Sequence, residues 1–259
     1  MRNFKNKINF IKHLTVFTFL FFLLLGCKTS YHNYKIEGKQ IPIVNLQEDN
    51  SSLDAFIAPY RSHINKDLDS ILAYCPETLD KSKGEWQTNI GNFMADVCMK
   101  ESNIIFEKRY GKSIDICLLN HGGIRSIIPK GNVTTRTAFE VMPFENNMVV
   151  LALKGKTIRE IVNYLLVEKK PHPLSGMELI VDKELKIKSI SIQNQLLEDD
   201  KTYYVATSDY LANGGDNMVF FKENIRFFDL EYKIRNLLID YFKKVDTIEI
   251  STKPRIIVE

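Results

Sequence analysis

Three short segments carry the residue types and spacings that could do chemistry, and each sits where an apolar run gives way to a glycine or proline turn. The first is Asn120-His121-Gly122-Gly123-Ile124-Arg125. Paired glycines let a ligand approach main chain that a side chain would otherwise cover. Arg125 then offers a planar fork of donors suited to phosphate or to vicinal hydroxyls. The plain alternative is a turn closing a strand, with Arg125 in a surface ion pair. The second is Val141-Met142-Pro143-Phe144-Glu145-Asn146-Asn147. Pro143 restricts its own φ and the conformation of Met142, which presents Phe144 in a fixed direction. A ring held beside an amide could stack on a flat base and hydrogen-bond its edge, although a lone Phe is also ordinary core. The third runs from Tyr204 to Asp216 and ends in Tyr210-Leu211-Ala212-Asn213-Gly214-Gly215-Asp216. Tyr210 could form a second aromatic wall, and Asp216 could accept from two ribose hydroxyls; the alternative is an Asn-Gly-Gly-Asp turn with no ligand. Stacking contributes ~1–3 kcal/mol per base, and hydrogen bonds to a charged acceptor ~1.5–3 kcal/mol each. Together they suffice for micromolar binding once the cost of association is included.

Taken in order and spacing, Asn-x-Gly-Gly-Ile-Arg (120–125), Pro-Phe-x-Asn (143–146) and Tyr-Leu-Ala-Asn-Gly-Gly-Asp (210–216) resemble the 5′-nucleotidase C-terminal domain family. Ile90-Gly91-Asn92-Phe93-Met94-Ala95-Asp96 is similar to that family's Gly-Asn helix start. Lys154-Gly155-Lys156-Thr157-Ile158 matches the turn after its Pro-Phe-x-Asn strand. The resemblance spans roughly residues 70–245. It implies a nucleoside or nucleotide site in which Phe144 and Tyr210 sandwich the base and Asn120 and Asn146 contact it. Arg125 would bind ribose or phosphate, and Asp216 the ribose. One departure bears on phosphate. Family members carry arginines just upstream of the Gly-Asn helix start, whereas this chain has Lys81-Ser82-Lys83-Gly84-Glu85-Trp86-Gln87. Lys83 would be a partial substitute at best, which favours nucleosides over nucleotides.

The full-length family resembles a two-domain enzyme whose other domain is a two-metal phosphoesterase. Two-metal hydrolysis needs clustered His, Asp and Asn ligands that hold the ions ~3.5–4 Å apart. Beyond the leader the histidines are His32, His63, His121 and His172, and none falls in such a cluster. His32 reads as tether, His63 as helix surface and His172, in Pro-His-Pro, as a surface or turn residue; His121 lies where a ligand would pass. No nucleophile motif is present. No catalytic residue and no metal ligand is therefore assigned, and divalent metals are expected on a partner metallophosphoesterase. The readings are the recognition half of a split 5′-nucleotidase, a stand-alone nucleoside-binding envelope lipoprotein, or a scaffold that keeps the fold without the site.

The elements that must position these residues are legible by period. Helices are expected from Ser52, with Leu53, Phe56, Ile57, Ile64, Leu68, Ile71 and Leu72 on one face, and after Gly91, with Phe93, Met94, Val97, Ile104 and Ile105 spaced for a buried stripe. Two more cover Thr157–Leu166 and Leu230–Val245. Strands are expected at Ser113–Leu119, Asn147–Leu153, Thr202–Thr207 and Arg255–Val258, with Met177–Val181 and Ile187–Ile192 as a hairpin. Their irregular order predicts a layered α+β fold, read as one domain over residues 51–259.

The first residues are of another kind. Arg2, Lys5, Lys7 and Lys12 precede an apolar run from Leu14 to Leu25, the layout of a secretory signal over residues 1–26. That run is short for the ~20 residues of a membrane span. Leu24-Leu25-Gly26-Cys27 resembles a lipobox, with Leu25, just before Gly26, a departure from the usual Ala, Ser or Thr. Cys27 would then be lipidated, residues 27–50 would form a tether ending in an edge strand near Gln40–Leu46, and the protein would face the periplasm or the cell exterior. Without the four basic residues of the leader, the net charge of +3 becomes −1. A near-neutral body argues against a nucleic-acid partner. Cys75, Cys98 and Cys117, an odd number at irregular spacing, read as core residues, with one bridge left open.

Overall fold

A computed structural model describes residues 10–19, 34–35, 37–41 and 51–259. Residues 10–19 are helical (α1). Cys27 and residues 42–46 of the expected edge strand lie outside the described residues, and residues 40 and 41 have no regular structure. Among the described residues no helix is long and apolar enough to cross a membrane. Ser51–Glu259 form one compact unit.

The Val149-Val150-Leu151 run explains the architecture, because a strand apolar at every position must be covered on both faces. It lies in β4 (Asn147–Lys154), where Met148 to Leu153 are all buried. Met148, Val150 and Ala152 enter one core, and Val149, Leu151 and Leu153 the other. The first core is filled from α3 (Asn89–Tyr110), α4 (Thr135–Val141) and α7 (Ile234–Lys244). Into the second core pack α5 (Gly155–Glu168) and the hairpin of β6 (Met177–Val181) and β7 (Ile187–Ile192). The central sheet has the order β10-β4-β9-β2-β5, built from β10 (Arg226–Lys233), β9 (Thr202–Ser208), β2 (Ile116–Leu118) and β5 (Leu174–Ser175). A second sheet has the order β11-β6-β7-β8, with β8 at Gln195–Leu196 and β11 at Ile256–Val258. A two-stranded pair joins β1 (Ile71–Cys75) to β3 (Gly131–Thr134). The layered α+β fold expected from the sequence is the one observed.

Sheet direction places the site. β2 and β9 run parallel, and β4 is antiparallel to β9 with Met148 opposite Ser208. The ends of β2 and β9 and the start of β4 therefore meet at one edge of the sheet, which gathers all three candidate segments. The Thr207 hydroxyl donates to the Leu118 carbonyl at 2.8 Å and ties two of those strand ends together.

Several elements depart from expectation. The helix expected from Ser52 (α2) spans Ser51–Leu68, and Leu53, Phe56 and Ile64 on its apolar stripe are exposed. It ends before Ile71 and Leu72, which enter β1; Arg136 grips Asn65 and Asp69 at 2.9 and 2.6 Å where the chain turns. α3 starts at Asn89, ahead of Gly91, capped by the Thr88 hydroxyl, which accepts from Gly91 N at 3.0 Å. Its Ile104 faces solvent. The expected helix from Leu230 begins only at Ile234, because residues 226–233 form β10. Cys75, Cys98 and Cys117 are free and buried, so no bridge forms among them.

Candidate functional site

The two glycine turns meet through a carboxylate. Gly214 takes φ +89 and leads into Gly215-Asp216-Asn217, where Asp216 itself is left-handed at φ +50. Asp and Asn accept that conformation more readily than most side chains. The turn aims Asp216 at its neighbours. Tyr210 donates its phenol to Oδ1 at 2.9 Å, and the Asn120 amide donates to Oδ2 at 2.7 Å. The Asp216 main-chain carbonyl accepts from the Tyr164 hydroxyl at 2.8 Å. Two donors hold the carboxylate in place, and it keeps lone pairs for a ligand's hydroxyls, since an ionised carboxylate has about four acceptor sites.

Tyr210 owes its place to a missing side chain. A Cβ on Gly215 would lie 2.4 to 2.7 Å from three Tyr210 ring atoms. Gly215→Ala is expected to push the ring aside, break its bond to Asp216 and weaken ligand binding several-fold. Circular dichroism should show the fold retained, because the turn lies on the surface.

The first glycine turn is equally constrained. A Cβ on Gly123 would meet Asn120 Oδ1 at 2.7 Å and the end of Met142 at 3.8 Å, so this turn packs against the residue before Pro143. Arg125 N donates to Val141 O at 2.9 Å, a second link between the first and second segments. The Arg125 guanidinium is exposed and donates to Gly122 O at 3.3 Å. Phe144 and Tyr210 are 41% and 45% exposed, which leaves both rings accessible to a ligand. Among the described residues neither ring stacks on another aromatic of the chain. Asn146 is half-buried, and its carbonyl accepts from Ile234 N at 3.0 Å. The structure thus bonds Asn120, Tyr210 and Asp216 directly, sets Arg125 on the same turn, and brings Phe144 and Asn146 to the same sheet edge without contact between the two rings.

Comparison with known proteins identifies the domain. Residues 77–223 match the family described as 5′-nucleotidase, C-terminal domain. The chain belongs to that family. This 5′-nucleotidase C-terminal domain is 28% identical over 188 residues to an apyrase of Tabanus yao, covering 65% of this chain and 34% of the apyrase. It is 23% identical over 229 residues to protein UshA of Escherichia coli, covering 83% of this chain and 39% of UshA. Among solved structures, a 5′-nucleotidase precursor of Thermus thermophilus superposes with a TM-score of 0.67 at 25% identity, covering 82% of this chain and 43% of that one. The chain spans less than half the length of these relatives.

Beneath the site of this family member lie residues that sequence reasoning missed. His172 is buried, 5% exposed, not a surface residue. Its Nδ1 accepts from the main-chain N–H of His121 at 3.2 Å, which fixes the start of the Gly-Gly turn and leaves the proton of the neutral ring on Nε2. Burial, with a smaller contribution from neighbouring His121, lowers its pKa to about 4. Burial likewise raises the Tyr164 phenol to about 12, so it stays a donor to Asp216. Neither residue has a local sequence signal: Tyr164 is one position in a regular helix, and Pro-His-Pro reads as a turn. Among the described residues no group of three or more His, Cys, Asp or Glu is placed to hold a metal ion.

Proposed function

We propose that this chain is a nucleoside-recognition module of a 5′-nucleotidase-type system. The base would lie between Phe144 and Tyr210, with Asn120 and Asn146 at its edge. Asp216 would take the ribose hydroxyls, and Arg125 the 5′ side. One observation carries the reading: a carboxylate held by Tyr210 and Asn120 sits at a sheet edge where exposed Phe144 and Arg125 also stand. Such a carboxylate discriminates through paired hydroxyls, because a ligand lacking them would leave the lone pairs unmet.

Hydrolysis, on this reading, belongs to a metallophosphoesterase partner that holds the divalent metals, and Cys27 anchors the module to the cell envelope. With AMP and a divalent metal, the purified chain is expected to bind without releasing phosphate. Steady phosphate release that a chelator abolishes would overturn the division of labour. Addition of the partner should restore release; its failure to do so would favour the stand-alone nucleoside-binding lipoprotein instead.

A further inference from the structure

The segment that carries Phe144 is held by a buried arginine. Arg235, in the first turn of α7, is 6% exposed. Its Nη1 donates to the carbonyls of Pro143 at 3.2 Å and Phe144 at 3.4 Å. Its Nη2 bonds the Glu145 carboxylate, whose other oxygen pairs with Lys233. The guanidinium also lies 4.1 Å from the centre of the Phe139 ring. The main-chain N–H of the preceding residue, Ile234, donates to Asn146 O at 3.0 Å. Residues 143 to 146 are therefore gripped at four consecutive positions from one helix start.

A buried cation is a poor stabilising device. Its desolvation offsets most of what its contacts gain, and an apolar side chain of similar volume often serves the fold as well. The fork does supply direction, since its planar donors fix two carbonyls and a carboxylate at once. We infer that Arg235, braced by Glu145, is a positioning residue that sets the angle of the Phe144 ring and the Asn146 amide for base stacking. It does not touch the ligand. This rests on the nucleoside reading above.

The test uses the intact chain, adenosine, and a double-mutant cycle. Arg235→Met is expected to raise the adenosine Kd about tenfold, within the range of a lost stack. In a Phe144→Ala background the same change should cost less than twofold. Glu145→Gln, at an exposed side chain, should give a several-fold loss with the fold intact, which covers the case where Arg235→Met fails to fold. A fluorine label on the Phe144 ring should give one narrow resonance in the parent and move toward the free amino-acid position in both variants. Equal losses in both backgrounds, or an unmoved resonance, would overturn the clamp. Absence of adenosine binding in the parent, with the resonance still moving, would instead strike the nucleoside reading and leave the clamp standing.

Discussion

Asp216→Ala should weaken adenosine binding by about 100-fold or more while leaving the unfolding midpoint within a few degrees of the parent. The size follows from two hydroxyl hydrogen bonds to a charged acceptor, each contributing ~1.5–3 kcal/mol. The carboxylate also holds Tyr210 and Asn120, so its removal frees one wall and one edge contact of the proposed base site. Asp216→Asn should fall between the two, since it keeps an acceptor without the charge. Calorimetric titration separates the three proteins. Binding by the alanine variant within twofold of the parent would remove ribose from the account of Asp216.

The second large effect is on stability in acid. His172 is neutral in the fold with a pKa of about 4, against about 6.5 in an unfolded chain. The unfolded state therefore binds the extra proton between those values, and stability falls as pH drops from about 6.5 toward 4. The shift corresponds to on the order of 3 kcal/mol across that window. Protonating Nδ1 turns the acceptor for His121 N into a donor, so the start of the Gly-Gly turn loosens in the same range. The charges facing the ring are mixed: His121 and Lys170 disfavour the cation, whereas Asp216 and Glu168 favour it. Urea unfolding at pH 7, 5.5 and 4 measures the slope. His172→Asn, which keeps an acceptor that does not titrate there, should flatten it. An unchanged slope in that variant would place the acid sensitivity elsewhere.

The paired and doubly buried elements were legible because their patterns match their surroundings. β4 is apolar from Met148 to Leu153 and covered on both faces, and β6–β7 alternates as a hairpin with one face buried. The end of β10, residues 230–233, reads as helix because Glu231, at φ +52, and the register shift between Asp229 and Tyr232 break the two-residue period just ahead of α7. The stripe on α2 is regular, but periodicity reports only that a face is apolar, not that anything in the chain covers it. Within the site, the aromatics, glycines and Asp216 stood out because turn chemistry marks them. His172, Tyr164 and Arg235 act through contacts 51, 52 and 90 or more residues away along the chain. Spacing in the sequence carries no trace of such contacts.

Calorimetric titration of the intact chain with adenosine, in the absence of metal, bears on all of this at once. The account predicts one saturable site per chain with a dissociation constant in the micromolar range, on the order of 1–100 μM. A flat titration at millimolar adenosine would contradict it, however well the family resemblance held.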